Sequence, residues 1–234
     1  MKRQFYLKHS IYHVITGSHA YGLNIESSDR DEKAIVLLPA SFAFTLSNEW
    51  ETETFHHPDM EFHSLKKAIK LFNSQNPTML ELLFIDKEYI IKETPYSNML
   101  RRNRDIFLSQ NCYYSFGGYA KNQIVKLKKH INDQVIRNNN KVYFKQAMHL
   151  IRLLLSGIEI LESGYLTVYQ KKHKNLLLNI RNGKMNWKDI FQLADVLLVN
   201  LDKAKSVSPL PEKTETDQIN KLYQEILFSN YNIS

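Results

Sequence analysis

Cysteine is almost absent from this chain: Cys112 is the only one in 234 residues. No internal disulfide can form, and the nine histidines show no ligand spacing joined to cysteines, so no structural zinc site is expected. One thiol without a partner points to a reducing, cytoplasmic setting. Long apolar runs are missing as well, so no membrane span is expected. The start, "MKRQFYLKHSIYHVI", is basic but has no continuous apolar core and no small-residue cleavage site, and no signal peptide is expected. Internal repeats and low-complexity tracts are also lacking. Glycine is scarce, with seven in all, and two of them fall in one stretch, "GSHAYGLNIESSDRD", at 17–31.

What is present fits a soluble globular protein. The chain is 43% hydrophobic and 24% charged, enough apolar matter for a real core. A formal net charge of +7 suits polyanionic partners such as nucleotides or nucleic acid.

Periodicity separates a front from a back. "IYHVIT" (11–16) and "KAIVLLP" (33–39) read as buried strands, and "HPDMEFHSL" (57–65) alternates apolar and polar residues as a strand does. Leu65, Ile69 and Phe72 then fall at helical spacing, and Asn76-Pro77 starts a short helix. From about residue 95 the helical period dominates, with helices expected at 96–108, 115–132, 139–163, 173–181, 186–205 and 214–229. Gly164 is placed to cap the longest of them, and the Pro- and Ser-rich segment 206–218 leads to a terminal docking helix. The expected architecture is α+β: a sheet domain over 1–110 followed by an all-α helical domain over 111–234.

The chemistry concentrates in 17–31. Gly17-Ser18 ends a strand and opens a helical turn, where backbone N–H groups and a hydroxyl can receive phosphate. Asp29 and Asp31, two apart, face the same way on a strand and can share a cation, as Mg²⁺ accepts in phosphoryl-transfer sites. A third acid is available on the next strand, where Asp59 and Glu61 share a face. Glu61, flanked by Met60 and Phe62, is preferred and Asp59 is held in reserve. Three carboxylates can hold two Mg²⁺ ions, and the third acid can serve as base for an attacking hydroxyl.

"GSHAYGLNIESSDRD" with "DMEF" downstream resembles the DNA polymerase β-type nucleotidyltransferase superfamily. The likeness is greatest to the predicted nucleotidyltransferases of bacteria and phages associated with RNA ligases, which carry Gly-Ser-x-Ala-Tyr-Gly followed by Ser-Asp-x-Asp. "NPTMLELLF" (76–84), "GGYAKNQ" (117–123), "AMHLIRLL" (147–154), "LESGYLTV" (161–168) and "SPLPEKTETDQIN" (208–220) extend it over most of the chain. The resemblance implies a nucleotidyltransferase-type mixed sheet with flanking helices, an NTP donor, and Mg²⁺ with Mn²⁺ as the alternative. It implies phosphate binding by Gly17 and Ser18, with His19 standing where many members have Arg. It also implies metal binding and catalysis by Asp29, Asp31 and Glu61. The acceptor hydroxyl belongs to an RNA end, a protein or a small molecule. A binder that has lost turnover is the alternative, and the oligomeric state stays open.

Two features of the back half offer phosphate contacts. Lys145, His149 and Arg152 lie at i, i+4 and i+7 on one helix face, a basic row for triphosphate or acceptor. In "FGGYAKNQ" a Gly117-Gly118 helix start lets Tyr119 stack on a base and Lys121 meet phosphate.

Overall fold

The computed structural model describes residues 2–46, 50–56, 59–132 and 140–232. The chain opens with helix α1 (Arg3–His9) and strand β1 (Ser10–Thr16), then a single turn, α2 (Gly17–Ala20). Strand β2 (Asp31–Val36) is followed by the turn α3 (Ala40–Ala43), and then by strands β3 (Thr52–His56) and β4 (Asp59–Ser64). Residues 57–58, the first two of the strand expected at 57–65, lie outside the described residues.

Local chemistry explains the helices that come next. Ser64 caps α4 (Leu65–Asn73) by accepting the Lys67 N–H at 3.1 Å, and Leu65, Ala68, Ile69 and Phe72 form its buried stripe. Asn76 caps α5 (Pro77–Leu80), with Pro77 in the first turn, where its missing N–H is harmless. After the short strand β5 (Ile90–Lys92), Thr94 and Ser97 form a reciprocal capping box at the start of α6 (Pro95–Arg102).

The five strands form one mixed sheet in the order β3-β4-β2-β1-β5, with β2 and β4 parallel and the other pairs antiparallel. The fold is the expected α+β arrangement of a mixed sheet with flanking helices. Side chains alternate between its faces. One face sends Ala34, Val36, Met60 and Phe62 into a core with Tyr6 of α1. The other carries Asp31, Lys33, Asp59 and Glu61.

The remaining helices are α7 (Cys112–Asn132), α8 (Asn140–Ser163), α9 (Lys174–Arg181), α10 (Trp187–Ser206) and α11 (Thr216–Tyr231). Gly164, at φ +66°, closes α8 with its N–H on the Ile160 carbonyl. The chain divides into two compact units, Met1–Phe107 with Thr214–Ser234, and Leu108–Lys213. The first break falls between Phe107 and Leu108 and the second after Lys213. In the first unit α11 packs on α4 and α6, burying Ile219, Leu222 and Ile226, and the Tyr231 hydroxyl donates to the Leu38 carbonyl at 2.5 Å. In the second, α8 packs against α7, α9 and α10. Among the described residues no helix is long and apolar enough to cross a membrane.

Candidate functional site

The opening glycine is fixed by two constraints. Gly17 sits at φ +64°, a left-handed conformation that costs other residues energy. A Cβ at this position would also run into the carboxylate of Asp31, whose Cγ lies 3.2 Å from that point. The contact follows from register, because antiparallel pairing sets Thr16 opposite Asp31 and so brings the turn after Thr16 onto the start of β2. Ser18 lies half-buried within the turn, and its carbonyl accepts the Leu23 N–H at 2.9 Å. His19 turns back toward its own loop, with Nε2 3.4 Å from the Ser28 carbonyl.

Parallel pairing supplies the other wall. Asp31, Lys33, Asp59 and Glu61 project from one sheet face and, with Gly17 and Tyr21, line a pocket of about 440 Å³. Register places Lys33 beside Glu61, and their side chains form an ion pair. His63, two residues along β4, reaches the same Glu61 oxygen with Nε2 at 3.3 Å, while its Nδ1 lies 3.1 Å from the Thr52 hydroxyl. With Thr52 as donor to Nδ1, Nε2 carries the proton that Glu61 accepts. The His63 hydrogen bond, resisted by burial and aided by Lys33, holds the Glu61 carboxyl down to about 2. Behind the pocket the Tyr21 hydroxyl donates to the buried Glu81 carboxylate at 2.6 Å, tying the "AYG" turn to the "NPTMLELLF" segment.

The expected acids are therefore brought together in part. Asp31, Glu61 and the reserve Asp59 line one pocket, so position does not choose between the last two. Asp29 does not lie on the strand. β2 begins at Asp31, and Asp29 is exposed on the approach, where strand alternation does not act. Arg30 pairs with Glu32 at 2.9 Å, and Glu32 also meets the buried His13 at 2.7 Å. Among the described residues no three His, Cys, Asp or Glu side chains converge as a metal cage. Two of the carboxylates lining this pocket would match what Mg²⁺ takes from a protein when phosphate and water complete its shell.

The helical unit differs from expectation in two places. Gly117 and Gly118 lie inside α7, not at a helix start, and a Cβ on Gly117 would come within 2.8 Å of Leu201 on α10. That glycine serves close helix packing; Tyr119 and Lys121 are exposed on the same helix. The basic row is broken too. Lys145 is exposed, but Arg152 is 0% exposed among the apolar side chains of α8, with Nη2 3.3 Å from His149 Nδ1. Burial, then Arg152 and Lys145, push the His149 pKa down to about 3. Seven residues bring the helix back to within about 20° of the same direction, so Arg152 differs from Lys145 in the depth of packing around α8 at that point and not in its bearing.

Residues 6–225 match the model of the RNA repair pathway DNA polymerase beta family. The chain belongs to that family. It is also similar to the uncharacterized protein YcgL of Bacillus subtilis (strain 168), 27% identical over 131 residues, which are 51% of this chain and 50% of that protein. The chain thus matches about half the length of this relative. A solved nucleotidyltransferase-like protein from Exiguobacterium sibiricum 255-15 aligns over 97% of this chain and 77% of its own at 12% identity, with a TM-score of 0.33. Polymerase β-type membership associates the chain with nucleotidyl transfer. Lys33, His63 and the Tyr21–Glu81 pair were not among the residues expected from sequence. Tyr21 and Glu81 fall in two of the quoted family segments, whereas Lys33 acquires its role only through the β2–β4 register.

Proposed function

We propose that the chain moves a nucleoside monophosphate from an NTP to a hydroxyl on an RNA end, releasing pyrophosphate. The observation that carries this reading is the seating of the Gly17 turn against the Asp31 carboxylate, in the pocket that Glu61 also lines. Gly17 and Ser18 receive the β- and γ-phosphates on backbone N–H groups and the Ser18 hydroxyl. Asp31, with Glu61 or Asp59, holds Mg²⁺, and Asp29 joins from the exposed approach. The metal, once bound, neutralises triphosphate charge and lowers the pKa of the attacking hydroxyl. Glu61, held near 2, is a poor proton acceptor at neutral pH, so its part is to keep a fixed negative charge at the pocket wall. Lys33 keeps that carboxylate oriented, and Tyr21 braces the turn. Catalysis here is positioning plus charge neutralisation. The family's RNA repair description favours RNA over a protein or small-molecule acceptor.

A second reading, a nucleotide binder without turnover, draws on the Lys33–Glu61 ion pair, which occupies an acid that a metal would need. One experiment separates the two. The protein is incubated with NTPs labelled at the α-phosphate, Mg²⁺ or Mn²⁺, and RNA oligonucleotides with free hydroxyl ends. Labelled RNA from the native chain, and none from folded Asp31→Asn, supports transfer. Tight NTP binding with no labelled product under either metal supports the binder.

A further inference from the structure

Charge is divided unevenly between the two units. Residues Leu108–Lys213 carry seventeen Lys and Arg against seven Asp and Glu, a net +10, whereas the rest of the chain carries fourteen against seventeen, a net −3. The whole basic excess of the protein lies in the helical unit, to which none of the residues placed at the candidate pocket belongs.

Part of that charge is interleaved with aromatic rings. On α7, Tyr114, Lys121, Val125 and Lys128 stand at i, i+7, i+11 and i+14, one exposed stripe running about 21 Å along the helix at 1.5 Å per residue. Tyr114 is 61% exposed, and next to the stripe a Cβ on Gly118 would meet nothing within 4 Å. α10 runs alongside and contributes from its own surface. Lys205 lies 4.4 Å from the Tyr114 ring centre and 4.5 Å from that of Tyr113, and donates to the Tyr114 hydroxyl at 2.9 Å. At the far end Lys128 of α7 lies 5.2 Å from the ring centre of Phe191 on α10, and Lys121 sits 5.8 Å from Tyr113. The acids of this α10 stretch are Asp195 and Asp202, and Asp202 accepts the Tyr113 hydroxyl at 2.7 Å.

We propose that this α7–α10 face binds single-stranded RNA, with bases stacking on Tyr114 and the backbone following Lys121, Lys128 and Lys205. Lysines set beside exposed rings along an open helix face suit an unpaired strand, whose bases are free to stack while its phosphates meet ammonium groups. A duplex hides its base faces and gains only the charge. The choice of RNA rests on the RNA-end reading of the transfer reaction; the surface itself is argued from charge and rings.

The test is fluorescence anisotropy of the full chain with a labelled single-stranded RNA of about twelve nucleotides, within the usual site sizes, in buffer free of NTP and divalent metal. Lys128→Glu with Lys205→Glu is expected to weaken binding at least about tenfold and to flatten its salt dependence. Tyr114→Ala is expected to weaken it about tenfold. Lys128→Arg with Lys205→Arg should bind like the parent, as should Lys171→Glu with Lys172→Glu, which changes the same charge on the α8–α9 connection. Circular dichroism melting checks that each variant folds. Parental affinity in Lys128→Glu/Lys205→Glu would overturn the proposal. So would an equal loss in Lys171→Glu/Lys172→Glu, or equal competition by duplex RNA or by single-stranded DNA. A native chain that binds RNA in this assay but labels none of it sinks the transfer reading and leaves this surface standing. Labelling of RNA ends by a chain that shows no affinity for the strand in this assay does the reverse.

Discussion

Glu61 in the sheet-bearing unit and His149 in the helical unit both titrate far below their ordinary values, near 2 and near 3, for opposite reasons. Glu61 is partnered by His63 and Lys33, which favour its charged form. His149 is half-buried beside Arg152 and Lys145, and desolvation followed by those two cations disfavours its charged form. One unit thus keeps a charge on display in a pocket, and the other keeps a potential charge silent on a half-buried ring. A low pKa alone marks neither a site nor a core; the cause of the shift tells them apart.

The largest expected break in this contrast comes at Asp31. Asp31→Asn should reduce transfer by about 10²–10³-fold or more, the loss that follows from several kcal/mol of metal-borne stabilisation, with the melting temperature within a few degrees of the parent. Steady-state labelling and calorimetry on one preparation check both. An equally inactive but unfolded protein would shift Asp31 from chemistry to stability.

Gly17→Ala should be the next largest. The left-handed backbone conformation and the displaced Asp31 carboxylate together predict a loss of about 1–3 kcal/mol in stability, together with activity. Denaturant titration measures the first. A variant as stable as the parent would show that the turn can relax away from β2.

His149 supplies a pH test. The folded group stays neutral down to about 3, while the unfolded group takes its proton near the ordinary value of 6.5. Its contribution to stability is therefore complete above about pH 6.5 and drains away as pH falls from there toward 3. His149→Gln should show a smaller drop in melting temperature between pH 7 and pH 5 than the parent. Identical drops would place the acid sensitivity elsewhere.

The smallest effect is expected at Lys33. Lys33→Met should raise the Glu61 pKa from about 2 toward, but not up to, its ordinary 4.5, since the leading contribution from His63 remains. NMR titration of the Glu61 carboxyl reads this directly. Glu61 lends stability that is complete above its unfolded pKa and is lost as pH falls toward 2, so the variant should lose that support at a higher pH. No shift would mean that the ion pair is not kept in solution.

The fold was legible wherever a single segment carries its own signal. β1, β2 and β4 announce themselves by apolar or alternating side chains, and α4, α5 and the later helices by caps and period, although the helix expected at 96–108 stops at Arg102. β3 escaped notice because "TETFH" is a mostly exposed strand at the sheet edge, with no apolar face long enough to read. β5, with three residues, is too short to show a period. At the site, the Gly17 turn and Asp31 were readable because β1 and β2 are successive strands whose antiparallel pairing sets the end of one against the start of the other. Lys33 was not, since its partner depends on which strands pair and in what register. Arg152 misled because spacing along a helix gives a direction but not the depth of the surrounding core.

The return of α11 to the sheet-bearing unit has a consequence for synthesis. Residues 216–231 leave the ribosome after all of Leu108–Lys213, so the helical unit is fully made while the unit with the pocket still lacks a wall. Until those last turns arrive, α4 waits with part of its packing surface uncovered. A nascent chain arrested just after Lys213 should therefore bind chaperones through its first hundred residues, not through its most recent ones.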